Sequence, residues 1–333
     1  LATKDGIEMI GTNMETTITT WVGGKTQKEG EVCVPARLLT EFVSTLPQAA
    51  VTLSLEDGSL TVSCGTYKAT IPTAPVAEFP QTPVFEEKKS TKTEKKNFVD
   101  AVSSVLFAAA SDEGRPVLTG IKVKKDEEGV VLAATDGYRL SVRHVRAALS
   151  LEEGIIIPAK ALSEVVKMCL EEKEDQDLVV SQLQDKQIGF KIGETVLFTR
   201  LLSGEYPSFE RIIPKNFTTR TLIDKEALLH AAKSAAIFAR DNANIIKLNF
   251  TNQKITVSAN APQTGENTIE VDAKIDGDGG EIAFNSRFLI EYLANVAEEE
   301  VLFEMTGALN PGVFKSPKDE GQLHIIMPVR ISG

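Results

Sequence analysis

Short stretches of the chain alternate apolar and polar residues with a period of two. Val51-Thr52-Leu53-Ser54, Ile188-Gly189-Phe190-Lys191-Ile192 and Ile255-Thr256-Val257-Ser258 each collect their apolar side chains on one face, the pattern of a half-buried strand. Val131-Leu132-Ala133-Ala134 is apolar throughout and reads as a more deeply buried strand. Asp5-Gly6, Asp57-Gly58 and Asp136-Gly137 supply turns. Between the strands, stretches such as Phe98 through Ala110 and Leu228 through Arg240 change to a helical period.

This alternation of strands and helices repeats. Val34-Pro35-Ala36-Arg37-Leu38-Leu39 is echoed by Ile157-Pro158-Ala159-Lys160-Ala161-Leu162 and, more weakly, by Phe284-Asn285-Ser286-Arg287-Phe288-Leu289. Their basic residues Arg37, Lys160 and Arg287 lie 123 and 127 positions apart. Each copy ends a strand-like run and opens a helix, with Pro or Asn where a helix start favours them. Glu78-Phe79-Pro80 and Glu205-Tyr206-Pro207 keep the same register, as do Gly11-Thr12-Asn13 and Ala134-Thr135-Asp136. A period this long describes duplicated domains rather than a solenoid.

The predicted architecture is α+β: three repeated domains, each of antiparallel strands with two helices. The charged stretch from Glu86 to Lys92 and Pro214-Lys215-Asn216 mark the boundaries, giving domains 1–88, 89–215 and 216–333. The second and third repeats open with a helix, at about Glu94 and Asp224, whereas the first opens inside a strand. Judged from the period, roughly thirty residues, with the leading strand and first helix, are missing from the first repeat: either the sequence is truncated, the preferred reading, or this protein has lost them.

Composition narrows the chemistry. The net charge of −11 counts against nucleic acid only if charge is spread evenly, because phosphate binding depends on where Lys and Arg lie. Cys33, Cys64 and Cys169 are odd in number and far apart, which excludes a disulfide framework and a Cys-based zinc site. No apolar run reaches bilayer length and the first residues are not a targeting segment, so no membrane is expected and the cytoplasm is the default location. His144, His230 and His324 are isolated, and no P-loop, nucleophile elbow or dinucleotide fingerprint occurs, so neither catalysis nor a metal or cofactor is expected. Asp276-Gly277-Asp278-Gly279-Gly280 lacks the ligand spacing of a calcium loop and reads as a hairpin turn.

The most specific segments are Arg115-Pro116-Val117-Leu118-Thr119-Gly120, Ala134-Thr135-Asp136-Gly137-Tyr138-Arg139-Leu140, Gly204-Glu205-Tyr206-Pro207, Phe284-Asn285 and Ile326-Met327-Pro328-Val329-Arg330. In this order, along the whole chain, they resemble the bacterial beta sliding clamps, the processivity subunits of DNA polymerase III. The resemblance implies a non-catalytic, head-to-tail homodimer. It would encircle duplex DNA without sequence preference, with helices lining the hole and sheets outside. It implies partners too: the polymerase III catalytic subunit, the clamp loader and other proteins carrying a clamp-binding motif.

Carried over residue by residue, the family's peptide pocket between domains two and three would use Leu118, Thr135, Gly137, Tyr138, Arg139, Leu140, Pro207, Arg211, Ile212, Ile325, Met327, Pro328, Val329 and Arg330. The apolar members suit aliphatic or aromatic anchors, and the arginines would give polar rim contacts. DNA contacts would come from Arg37, Asp112, Arg115, Pro116, Val117, Lys225 and Lys233; Lys225, Lys233 and Arg240 are spaced to lie near one helical face. The interface between copies would set Ile71 of one against Ile237 and Phe238 of the other.

Overall fold

The structure is a computed structural model and describes residues 1–87, 90–112, 114–125, 127, 129–146, 151, 154–261 and 265–330. The first repeat comprises β1 (Ala2–Thr3), β2 (Gly6–Thr12), β3 (Thr16–Gly23), α1 (Ala36–Val43), β4 (Thr52–Glu56), β5 (Ser59–Cys64) and β6 (Tyr67–Pro72). The second comprises β7 (Ser90–Glu94), α2 (Lys95–Leu106), β8 (Gly120–Lys125), β9 (Val130–Thr135), β10 (Arg139–Val145), β11 (Ile155–Pro158), α3 (Ala159–Glu171), β12 (Asp177–Leu183), β13 (Gln187–Ile192) and β14 (Thr195–Arg200). The third comprises β15 (Thr219–Asp224), α4 (Lys225–Ala239), β16 (Ile245–Thr251), β17 (Lys254–Ala261), β18 (Gly265–Gly277), β19 (Gly280–Asn285), α5 (Ser286–Asn295), β20 (Glu300–Met305), β21 (Gly312–Lys315) and β22 (Gln322–Ile326). The second and third repeats thus share one element order.

Local chemistry explains the helix starts. The Asp224 side chain accepts from Ala227 N at 2.7 Å and the Asn285 side chain from Arg287 N at 3.0 Å, satisfying orphan donors of α4 and α5. Pro35 and Pro158 precede α1 and α3, where a fixed φ and a missing N–H cost nothing. In the second repeat α2 and α3 pack on each other and on two sheets, burying Val102, Val105, Leu162 and Val165 against Ile121, Phe190 and Leu197. In the third, α4 and α5 bury Leu228, Ala232, Leu289 and Tyr292 against Phe250, Phe303 and Phe314. The core of the first is smaller: Leu60, Val62 and Ile71 under Val34, Leu39 and Phe42.

The sheets ignore the repeat boundaries. β3 pairs with β14 from Thr16↔Thr199 to Thr20↔Thr195, so a seven-stranded sheet joins the first repeat to the second. β10 pairs with β22 from Arg139↔Ile326 to Arg143↔Gln322, so a twelve-stranded sheet joins the second to the third.

Two expectations change. Asp276 to Gly280 is no hairpin turn, because β19 pairs with β16, across the sheet from β18. Asp and Gly specify that the chain bends, not which strand it joins. On β4, Leu53 and Leu55 stand opposite the buried Val62 and Leu60 yet remain exposed, because α1 does not reach over this edge strand. The Asp57-Gly58 turn forms as expected, both residues having positive φ between the paired Glu56 and Ser59.

Candidate functional site

The junction of β10 and β22 places an apolar cluster on the sheet face opposite the domain cores. It holds Leu118, Leu140, Val142, Ile325, Val313, Tyr206 and Phe209. The segment that covers it is fastened by Tyr206, whose hydroxyl accepts from Thr135 N at 3.2 Å and donates to Ala133 O at 3.3 Å. Burial pushes the Tyr206 phenol far above its usual range, so it stays protonated as this donor.

The hairpin from Thr135 to Arg139 is built by its own side chains. Thr135 Oγ1 donates to Arg139 O and accepts from Gly137 N, while Asp136 Oδ1 accepts from Tyr138 N and Arg139 N. Gly137 takes φ +93°, open to glycine at little cost. This turn lifts Tyr138 to the surface, where its ring stacks on Phe288 of α5 with centroids 6.4 Å apart. Met327 N donates to Tyr138 O at 2.8 Å and Val329 N to Ala283 O at 2.8 Å, tying the C-terminal segment beside the turn.

The proposed pocket residues therefore gather in one region, in two layers. Leu118, Leu140 and Ile325 form a buried floor; Leu140 has no exposed surface. Tyr138, Ile212 and Met327 are the exposed apolar lining, at 67%, 42% and 38%. Pro207, Arg211 and Arg330 are exposed around them, with Pro328 and Val329 half-buried.

Arg139 is not the rim contact expected of it. It is buried at 8%, donating Nε to Asp136 at 3.0 Å, Nη1 to Glu291 at 2.5 Å and Nη2 to Phe107 O at 2.7 Å. Its guanidinium also lies 4.7 Å from the Phe288 ring centroid. Arg139 thus pins the second repeat to α5 of the third. Phe288 and Glu291 were missed by sequence reasoning, since no local pattern links positions about 150 apart; only the repeated Phe284-Asn285 segment points to their helix.

His324 lies on the other face of β22 from Ile325. It is wholly buried, bonded through Nδ1 to Ser141 Oγ at 2.6 Å and stacked on Tyr292 with ring centroids 4.6 Å apart. Burial, helped by the nearby Arg139 charge, holds its pKa well below the usual histidine value, so it is neutral when folded. Below pH of about 6.5 the unfolded chain binds a proton that the folded chain refuses, so stability falls with acidification by up to about 1.4 kcal/mol per pH unit. That loss starts at the unfolded pKa and continues down towards the depressed folded one. Urea midpoints at pH 7.5 and 5.5 should diverge more in the wild type than in His324→Phe; equal divergence removes His324 as the cause.

The residues expected to meet DNA do not form one stripe. Along α4 the exposed positions are Glu226, Ala227, His230, Lys233 and Ile237, with Arg240 exposed at its C-cap, whereas Lys225, at the first turn, is half-buried and paired with Glu226 at 3.0 Å. Eight residues turn a helix about 80° past two full turns, which takes Lys225 off the face of Lys233. Arg37 is exposed on α1 and paired with Glu41 at 2.7 Å. Asp112 and Pro116 are exposed and Val117 half-buried, and Arg115 lies beside Gly137, near the cleft. Of the interface residues, Ile237 is exposed, Phe238 packs partly into its own domain core, and Ile71 is buried. Ile71 faces inward, opposite Leu60 in the small core; Tyr67, on the same face at the start of β6, lies outside that cluster and is the exposed ring on the strand.

Among the described residues no group of three His, Cys, Asp or Glu side chains could hold a metal, and no helix is long and apolar enough to cross a membrane.

The comparisons agree with the repeat. Family models for the N-terminal, central and C-terminal domains of the DNA polymerase III beta subunit match residues 1–83, 92–208 and 210–330 in order. The beta sliding clamp of Bacillus subtilis (strain 168) is 28% identical over 346 residues, covering 99% of this chain and 90% of that protein. That of Staphylococcus aureus (strain Mu50 / ATCC 700699) is 30% identical over 305 residues, covering 90% and 80%. The fold matches the DNA polymerase III beta subunit of Thermotoga maritima with a TM-score of 0.90 at 24% identity, over 99% of this chain and 90% of that one. Three domain models in sequence, spanning nearly all of it, and relatives of that likeness mean that the chain belongs to the family of bacterial DNA polymerase III beta subunits, the beta sliding clamps.

Proposed function

We propose that two copies of this DNA sliding clamp close head to tail around duplex DNA, and that the cleft over Leu140 and Ile325 takes a short peptide from each partner. The clamp does no chemistry; its family is a non-catalytic processivity factor of the polymerase. The domains are 1–88, 89–215 and 216–333, and the partners sharing the cleft are the polymerase III catalytic subunit, the clamp loader and other motif-bearing proteins. In this reading the clamp works in the cytoplasm.

One observation carries the ring. Within the chain, the last strand of a repeat pairs with a strand of the first half of the repeat before it, β14 on β3 and β22 on β10, and β18 is the counterpart of β10 in the third repeat. The same rule leaves β6 and the stretch of β18 from Gly265 to Val271 to pair between copies. It sets Tyr67 near Ile269, with Ile237 close by at the end of α4. A contact of this head-to-tail kind closes when the rotation between copies permits. Ile237→Glu with Tyr67→Glu should shift the chain to monomer in sedimentation while its thermal midpoint stays the same. An unchanged dimer rejects this seam. Ile237 is preferable to Phe238, whose replacement would also damage its own core.

Lys233, Arg240, Lys160 and Arg287 on exposed helix faces would meet phosphates without reading sequence. Retention on closed circular DNA and rapid loss from linear DNA tests encirclement; a tight, sequence-specific footprint on linear duplex rejects it.

A further inference from the structure

The outer face of the twelve-stranded sheet carries one row of residues out of the cleft and across domain three. Leu140 stands opposite Ile325, Ile325 opposite Val313, Val313 opposite Glu304 and Glu304 opposite Arg220. Directly opposed residues project from the same face, so the row passes from apolar to charged within one strand. Where it ends there is a recess of about 180 Å³, lined by Lys215, Phe217, Arg220, Glu304, Val313 and Lys315 among others. Val313 belongs both to this recess and to the apolar cluster beneath the cleft.

The recess is held in shape by its own charges. Glu304 is buried, and its Oε1 accepts from Arg220 Nε at 2.8 Å and Nη2 at 2.5 Å, while Oε2 accepts from Lys315 Nζ at 2.6 Å. Arg220 is fixed from a further side by the Phe217 ring, whose centroid is 4.0 Å from its guanidinium carbon. Lys215 is exposed and makes no ion pair among the described residues. Two cations thus meet the Glu304 carboxylate, Lys215 is a third at the lining, and Asp276 stands opposite Arg220 on the next strand. The lining excess is positive in a chain of net charge −11, and among the described residues Arg220 Nη1 and the remaining N–H groups of Lys315 form no hydrogen bond.

We propose, resting on the reading of the cleft as a peptide site, that this recess receives an acidic side chain of the same bound peptide. Leu140 and Arg220 are four strand spacings apart, roughly 19 Å. An extended chain covers that in about six residues. The carboxylate therefore follows or precedes the residue seated over Leu140 by about six positions, and the recess selects among partners whose apolar anchors are alike. Rigid donors already fixed by Glu304 and Phe217 lose little freedom when they bind it.

The test uses the whole chain and fluorescence anisotropy with five peptides sharing one Gln-and-apolar core. One is unextended. The others carry a Gly/Ser spacer ending in Glu or in Lys about six residues away, on either flank. On one flank the Glu peptide should bind about fivefold tighter than the Lys peptide at low ionic strength, with the difference shrinking in salt. Lys215→Glu and Lys315→Gln should each reduce that difference and leave the unextended peptide unchanged. Equal affinity for Glu and Lys peptides on both flanks, or a difference that survives both substitutions, overturns the proposal alone. Failure of the unextended peptide to bind overturns the cleft reading and this one with it.

Discussion

Ile212→Asp with Met327→Asp should reduce binding of the unextended Gln-and-apolar peptide by about 100-fold without disturbing the fold. A short peptide over a small cleft binds at about micromolar strength, roughly −8 kcal/mol. Setting two carboxylates where apolar anchors must seat costs about 3 kcal/mol, since each must lose water without gaining a partner. Both residues are exposed in the free chain, so their replacement leaves the cluster beneath them whole. Leu140→Asp would be a poor test: Leu140 is fully buried against Leu118 and Ile325, and a carboxylate there would unfold the junction before it reported on binding. Isothermal titration beside circular dichroism separates the two effects. Wild-type affinity in the folded double variant would show that the cleft lies elsewhere.

Arg139→Met should destabilise the junction by about 3 kcal/mol. The substitution keeps the apolar stem but leaves Asp136, with little exposure, and Glu291 without their shared cation. It also leaves Phe107 O without its donor. Glu291 is half exposed and water repays part of its loss, so most of the penalty falls on Asp136 and on the hairpin it organises. Arg139→Lys should recover little, because an ammonium cannot reach three acceptors in one plane. The expected readout is a lower urea midpoint together with weakened peptide binding, since the displaced hairpin carries Tyr138. A midpoint within error of the wild type would mean that the junction is held by the β10–β22 ladder alone.

Much of the fold is legible in the chain because it is written three times. The period-two runs at Ile188–Ile192 and Ile255–Ser258 form β13 and β17, and the Pro and Asn signals mark the starts of α1, α3 and α5. Periodicity reports a residue's face but not what lies above it, so Val51 and Leu53 were assigned a buried face that nothing covers among the described residues. A spacing of eight was also read too loosely as one helical face, which is why Lys225, about 80° round α4 and paired with Glu226, was grouped with Lys233. The residues proposed for the cleft came from resemblance, residue by residue, but the contacts that support that region were not legible. Arg139 looks like any surface arginine until Glu291 and Phe288 are brought to it by the packing of α5. The recess at Arg220 has no sequence signature, because its members come from three strands and a linker joined only by sheet register.

In the proposed ring, the two ladders that cross the repeat boundaries would determine where it is stiff and where it yields. Between the first and second repeats, and again between the second and third, the polypeptide itself bridges the join and a row of backbone hydrogen bonds runs beside it. Bending either join would tear a ladder in the middle of a sheet and uncover the apolar residues beneath, Ile18 and Leu197 at one, Leu140 and Ile325 at the other. A single copy should accordingly move as a rigid arc. In a ring of two such arcs, the joints that no chain crosses are the ones between copies, and threading onto unbroken DNA would spend its work there, prising apart one edge-to-edge contact while the rest of the circle flexes little.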